Sequence, residues 1–444
     1  MKVTAVIAEY NPFHNGHLYQ LDAIRQTPGT DLIIVVMSGD FMQRGIPAIV
    51  DKYERCRMAL ENGADLVFEL PVYFALGSAE YFAQGAVSLI DKLGVVDYLH
   101  FGSESGNISL LYEFTSMMLA HESDAYKTAL NKYLKQGCSF PAARDNALSE
   151  LLPDQKIRQL VSTPNNILGM EYIKALIQRN STVKPMTIAR KGEDYASDSL
   201  MPDGFASANA IRKALFQQSD TDNPATQDTD LNQFCIKDHV PASVDTLLHR
   251  KELICANDFS EILLYKMQNE VFQYKVSHNK PSPAARLKDT FAKYYDIGEQ
   301  LSHTLYNNLP RYTTLETFAL LCKTKNITYT RICRGLMHIL LEMTQENADA
   351  LKHNDYAQYA RLLGFTEHGK QLLGSIKANA SIPVITKPSS ALRQLSDTAL
   401  MSLQSDIHAA DIYDSVRQQK QIRLSDTTTG IVRHSELTNQ IIKL

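Results

Sequence analysis

Short, continuous apolar runs alternate with amphipathic stretches through the first hundred residues. Val3–Ala8 (VTAVIA), Asp31–Met37 (DLIIVVM), Asp65–Leu70 (DLVFEL) and Asp97–Phe101 (DYLHF) read as strands. Between them, His17–Arg25, Lys52–Asn62 and Ala79–Leu93 carry helical periodicity. Strands without polar alternation are buried on both faces, so the pattern predicts an α/β fold built on a doubly wound parallel sheet.

Residues 107–160 read as helical, with Leu110, Leu111, Phe114, Met117 and Met118 at helical spacing. Asn165–Arg179 adds a helix, Pro185–Ala189 a late strand of the sheet, and Ala206–Phe216 a further helix. Residues 217–232 are polar and nearly without apolar anchors, which marks a domain boundary or a surface loop. Beyond them the pattern is mainly helical to about residue 377, without sheet alternation. The expected division is a sheet domain over 1–218, a mainly helical region over 233–380 and a C-terminal segment over 381–444, where SIPVIT precedes polar helix-like stretches. No internal repeat is evident.

Composition narrows the class without naming a partner. At 444 residues the chain can bury a large core in two or three domains. A hydrophobic content of 44%, a charged content of 21% and a net charge of −4 are ordinary for a globular protein and announce no basic field. A local basic face remains compatible with RNA. The six cysteines are scattered, with no paired spacing for a zinc ribbon or a disulfide framework, so buried reduced thiols are expected. The N-terminal apolar run is too short for a signal peptide, and no stretch approaches the roughly 20 residues of a membrane span. A cytoplasmic protein without a membrane partner is expected, and no protein partner is evident.

In an open parallel sheet the binding crevice lies beyond the carboxyl ends of the strands. Glu9–His17, Ser38–Gly45, Glu69–Pro71 and Gly102–Gly106 follow the four strands and should converge there. Neither a Walker loop nor a G-x-G-x-x-G fingerprint is present. Instead His14-Asn15-Gly16-His17 opens the first helix. Chemistry at a nucleotide α-phosphate must offset charge on the phosphoryl oxygens and the departing pyrophosphate. Imidazole donors and the N–H groups of a helix start supply that. Gly16 would let the backbone approach the phosphate, with Asn11 and Asn15 fixing the turn. The bland alternative is a pair of surface polar histidines.

Several motifs in order carry a resemblance. Glu9–His17 (EYNPFHNGH), Met37–Gly45 (MSGDFMQRG), Phe68–Pro71 (FELP), Phe101–Glu104 (FGSE), Pro164–Gly169 (PNNILG) and Ala206–Ala214 (ASANAIRKA) together resemble the bacterial tRNA(Met) cytidine acetate ligases. These are a branch of the HIGH-type nucleotidyltransferase superfamily, whose catalytic domain is Rossmann-like. The resemblance is dense over about residues 1–215. Beyond, Thr328–Arg334 (TYTRICR) and Arg361–Phe365 (RLLGF) fit the helical half.

The resemblance implies a two-step ligase. Acetate and ATP give acetyl-adenylate and pyrophosphate; the wobble cytidine N4 of elongator tRNA(Met) then takes the acetyl group. By position it places the ATP contacts at Ile7, Ala8, Glu9, Tyr10, Asn11, Pro12, Phe13, His14, Asn15, Gly16, His17, Leu18, Tyr19 and Gln20, with Gly102, Asn165 and Arg190. His14, His17 and Arg212 would be catalytic. Ser207 and Arg212 stand where related adenylyltransferases carry an I-S-S-x-x-I-R phosphate loop. Here Ala206-Ser207 keeps one hydroxyl, and Ser207 reads equally as a helix cap.

Gln43 and Arg44 suit the acetate carboxylate, although an Arg44–Asp40 ion pair is an alternative. Lys323, Lys325, Tyr329, Arg331 and Arg334 suit a tRNA backbone and a stacked base, or form an ordinary solvated face. Mg²⁺ is expected with the phosphates, but no clustered carboxylates dedicate a metal site. Rival readings are a small-molecule adenylyltransferase or acetate:protein ligase of the same superfamily, and a non-catalytic tRNA-binding protein.

Overall fold

A computed structural model describes residues 1–444 apart from 28, 121–123, 139, 152–162, 191–204, 220–235, 250–251, 278–286, 425–435, 438 and 440. The boundary segment 217–232 therefore lies largely outside the described residues.

The apolar runs become β1 (Val3–Ala8), β2 (Leu32–Ser38), β5 (Leu66–Leu70), β6 (Tyr98–Ser103) and β7 (Lys184–Ala189). A short antiparallel hairpin, β3 (Phe41–Met42) and β4 (Ile46–Pro47), interrupts the loop after β2. Pairing is parallel from β5 through β2, β1 and β6 to β7. Alternate residues of each strand enter opposite cores. Leu32, Ile34 and Val36 face one layer, whereas Ile33, Val35 and Met37 face the other. That is the doubly wound arrangement the continuous apolar runs require.

The sheet extends further than the pattern suggests. β8 (Ala360–Phe365), expected within a helical half, pairs antiparallel with β5, and β9 (Val384–Ile385) and β10 (Ile442–Lys443) add parallel to β8. Every β8 residue is buried, including Arg361. The distant chain thus completes the β5 side of the sheet. It also wraps it, since the long helix Asp397–Leu424 places Tyr413 against Phe41 and Phe259.

Among the described residues no helix is long and apolar enough to cross a membrane. Cys56, Cys138, Cys255, Cys322 and Cys333 are free thiols.

Candidate active site

The chain leaves β1 through Glu9–Phe13 and enters α1 (Asn15–Gln26). His14 is the N-cap, and the two histidines close a reciprocal box. His14 Nδ1 accepts from Gly16 N at 3.1 Å, and His17 Nδ1 accepts from His14 N at 3.2 Å. Their rings stack at 3.6 Å between centroids, and Tyr10 packs edge-on against His17 at 4.8 Å. A ring whose Nδ1 accepts carries its proton on Nε2 when neutral. Desolvation, helped by Arg190, Arg212 and His239, lowers His14 to about 3. Desolvation, with His14 and Arg190, holds His17 well below the usual imidazole range. Both rings are therefore neutral Nε2–H donors at pH 7, not cations.

The backbone of this turn is engaged within the protein. The N–H groups at the helix start already have partners. Asn15 N donates to His239 O at 2.9 Å, and His17 N donates to His14 O at 2.8 Å. Gly16 N is taken by the His14 ring. The Asn15 side chain reaches Asp238 O at 3.0 Å rather than bracing its own turn. Gly16 is needed because a Cβ there would lie 2.9 Å from His14 Cε1.

A cleft of about 180 Å³ opens beside the rings at the carboxyl end of the sheet. Of the residues singled out from sequence, Ile7, Ala8, Glu9, Tyr10, Asn11, His14, His17 and Gln20 line it from β1 and α1. Gln43 and Arg44 reach it from the β3–β4 turn, and Gly102, Asn165, Arg190, Ser207 and Arg212 from the other side. An adjoining recess of about 60 Å³ adds Gly16 and Tyr19. Pro12, Phe13, Asn15 and Leu18 line neither. Phe13 is fully buried in the core beneath, against which Leu18 packs. Ile46, Phe82, Phe101, Leu168 and Tyr172 form apolar wall that the sequence reading missed. Leu168 and Tyr172 were findable, being four apart on the PNNILG helix (Pro164–Gln178).

Glu104 organises the far wall. Its carboxylate takes Asn165 N at 3.2 Å, Asn165 Nδ2 at 2.6 Å, Asn166 N at 2.8 Å and Thr163 Oγ1 at 3.0 Å. Burial works to raise this carboxyl, but those bonds hold it below its usual range. Asn165 is thereby oriented, and its Oδ1 accepts from Arg190 NH1 at 3.1 Å. Gly102 leaves room for this arginine, since a Cβ there would lie 3.3 Å from Arg190 Cγ. Opposite, Arg212 NH1 donates to Asn11 O at 2.6 Å and so ties the helix Ala208–Ser219 to the histidine turn. Ser207 Oγ accepts from Ala210 N at 3.1 Å while lining the cleft, so the capping role is realised beside it.

The β3–β4 turn is anchored from two sides. Gln43 N donates to Glu9 Oε1 at 2.7 Å. The alternative Arg44–Asp40 pair gives way to another: Asp40 Oδ1 accepts from Lys52 N at 2.7 Å and lies within 4.0 Å of Arg55. Burial pushes Asp40 up to about 6 despite those cations. Gly45, at φ 75°, abuts the helix Tyr329–Leu340, where a Cβ would lie 2.2 Å from Arg334 N.

That helix carries two of the basic residues singled out from sequence. Arg331, Arg334 and His338 share one face, and all three address the Tyr295–Asp296 turn. Arg331 NH2 lies 3.0 Å and Arg334 NH2 3.5 Å from the Asp296 carboxylate. His338 Nδ1 lies 2.7 Å from Tyr295 O. Arg334 keeps only 14% side-chain exposure against 41% for Arg331, and both are paired with Asp296. Tyr329 is half-buried against the core, whereas Lys323 and Lys325 are exposed.

Neutral imidazole donors after the first strand of a parallel sheet share one cleft with two arginines, an arrangement suited to nucleotidyl transfer. Residues 1–427 match the family described as HIGH Nucleotidyl Transferase. The tRNA(Met) cytidine acetate ligase of Thermoanaerobacter sp. is 37% identical, over 93% of this chain and 95% of its own. That of Acetivibrio thermocellus is 38% identical, over 93% and 94%. The crystal structure of Thermotoga maritima TmcAL in its apo form superposes with a TM-score of 0.84 at 29% identity, covering 100% of both chains. The same protein bound with alpha-thio ATP gives 0.83 at 28% identity, again over 100% of both. This chain belongs to the tRNA(Met) cytidine acetate ligase family of HIGH nucleotidyl transferases.

Proposed function

We propose that the protein joins acetate to ATP as acetyl-adenylate and transfers the acetyl group to N4 of the wobble cytidine of elongator tRNA(Met). An acetate oxygen attacks the α-phosphorus, and the bond to pyrophosphate breaks. The cytidine N4 then attacks the acetyl carbonyl carbon, loses a proton, and AMP departs. The observation that carries this reading is the neutral His14–His17 pair set into the same cleft as Arg190 and Arg212. Fixed Nε2–H donors and guanidinium groups are suited to charge that grows on phosphoryl oxygens during transfer.

In this reading Gln43 and Arg44 meet the acetate carboxylate from the β3–β4 turn, and the apolar wall at Ile46 and Phe82 accommodates its methyl group. Residues 1–218 carry the nucleotide chemistry, and residues 233–380 meet the tRNA, with Lys323 and Lys325 among its exposed cations. Among the described residues no group of His, Cys, Asp and Glu is arranged to hold a metal ion. Mg²⁺, called for by the phosphate charge itself, would be held through the phosphates of ATP.

The test is exchange of labelled pyrophosphate into ATP, followed by transfer of labelled acetate to purified tRNA. Exchange should require acetate and not tRNA. Exchange without acetate would indicate a different acyl or nucleotidyl substrate, and none at all would remove the enzyme reading.

A further inference from the structure

The last stretch of the chain supplies a charge to the floor of the active site. Beneath the Ser38–Asp40 turn lie three buried cations, Lys52, Arg55 and Arg361, and three buried carboxylates, Asp40, Glu69 and Glu436. Lys52 Nζ sits 2.8 Å from Glu69 and 2.6 Å from Glu436. Arg361 from β8 bridges the same two carboxylates, and Tyr53 OH reaches Glu436 at 3.2 Å. Asp406 lies beside this group, bound by Tyr359 OH and by Val72 N. Burial and the neighbouring Glu69 push Asp406 up to about 7, so it is about half ionised at neutral pH. Against burial, Lys52 and Arg361 hold Glu436 at about 2, so its charge is permanent. The six ionised groups sum to zero only with Glu436 present.

This cluster touches the walls of the cleft directly. Arg55 donates to Glu9 O at 2.8 Å, to Ser38 O at 3.0 Å and to Gly39 O. Gly39 lies so close over Glu69 that a Cβ would come 2.6 Å from its Oε1. Asp40 receives the backbone N–H of Lys52, which starts α2 (Lys52–Glu61). The turn leading into Gln43 and Arg44 therefore rests on an ion lattice. One corner of that lattice comes from residue 436, brought there as the chain returns to pair β10 with β8.

We infer that Glu436 is a positioning residue for the acetate side of the cleft, so that the C-terminal segment forms part of the active site. The inference rests on the acetate reading above. Removing the Glu436 charge leaves cations in excess under Ser38–Asp40, offset only in part by Asp406, and a buried unpaired charge makes its surroundings rearrange. The residues that move are chiefly those carrying Gln43 and Arg44; Arg55 also holds Glu9 O, while Gly102 on β6, Arg190 after β7 and Arg212 on the helix Ala208–Ser219 lie on other elements.

The experiment uses the full chain with Glu436→Gln, which keeps shape and removes charge. Acetate-dependent pyrophosphate exchange gives KM for acetate and for ATP, with thermal unfolding followed in parallel. The expected result is a rise of about tenfold in KM for acetate, with KM for ATP within about twofold of the parent (a tenfold change is about 1.4 kcal/mol). The double variant Lys52→Met with Glu436→Met restores neutrality, and should recover at least half of the loss on a logarithmic scale. A lower melting temperature with unchanged kinetics would overturn the inference, as would equal changes in both KM values. If Glu436→Gln fails to fold, the double variant alone decides: near-parental KM for acetate supports charge balance, and a raised one refutes it. Absence of acetate-dependent exchange in the parent would instead refute the acetate reading.

Discussion

The turn after β1 and the helix Tyr329–Leu340 both carry conspicuous polar motifs, and the fold uses them differently. His14 and His17 sit where a parallel strand must end in a crevice, and their rings line a cleft shared with Arg190 and Arg212. Arg331 and Arg334 sit on a helix with no such topological commitment, and both turn toward Asp296. A motif at a strand end inherits its position from the sheet. A basic cluster on a helix inherits it from whichever neighbour covers that face. For the first, motif spacing is nearly a geometric statement; for the second, it is only a set of charges.

The largest test of this contrast is His17→Ala. It should lower acetate-dependent exchange by roughly 10²–10³-fold, as loss of one preorganised donor does, with a melting temperature close to the parent. A variant that exchanges at parental rate would break the strand-end half of the comparison. Arg331→Ala with Arg334→Ala should behave in the opposite way. Exchange should survive, and urea unfolding should show a loss of about 1–3 kcal/mol from leaving Asp296 without its partners. If stability is intact and only tRNA binding suffers, the helix is a nucleic-acid face after all.

Gly45→Ala probes the place where the two regions meet. A side chain at φ 75° is strained by about 1–2 kcal/mol, and the Arg334 backbone cannot yield. Unfolding free energy should fall by about 2 kcal/mol or more, together with a higher KM for acetate.

Acid sensitivity sharpens the electrostatic side. Burial lowers His14 to about 3 and His100 and His338 to about 4, and it depresses His17 strongly as well. The unfolded chain binds these protons below about pH 6.5 and the folded chain does not, so stability is lost as pH falls. Asp40 and Asp406, raised to about 6 and about 7, take up protons first in the folded state and oppose the loss. Four imidazoles less two carboxyls leave a net uptake of about two protons on unfolding, so stability should fall by on the order of a few kcal/mol per pH unit between roughly pH 6 and 4.5. Chemical unfolding across that range checks the slope. A flat profile would mean that the histidines are charged in the fold.

The smallest expected effect is at the exposed lysines. Lys323→Ala with Lys325→Ala should weaken tRNA binding a few-fold. The dependence of log affinity on log salt should become shallower by about 0.7–0.9 for each phosphate no longer neutralised, leaving exchange untouched.

The legible parts of the fold are those where one local pattern determines the outcome. Val3–Ala8 and Asp31–Met37 are apolar almost without interruption, and a parallel sheet is the ready way to bury them. β8 was not legible because Ala360–Phe365 is short and carries a charge at its second position. Arg361 is tolerated there only because Glu69 and Glu436 meet it from distant parts of the chain. The histidine turn was legible as a site, but its internal bonding was not. His239 O reaches Asn15 N across the polar segment that separates the expected domains, and no local signal reports such a closure. Glu104 was visible in its motif, yet its task of fixing Asn165 and hence Arg190 emerges only in three dimensions.

The self-capped start of α1 changes what occupancy of this cleft means. Because Asn15, Gly16 and His17 already give their amide protons to the protein's own atoms, a triphosphate reaching for them would swap partners instead of filling a vacancy. Its affinity would then measure the gap between two satisfied arrangements, and modest binding could coexist with a dense set of contacts.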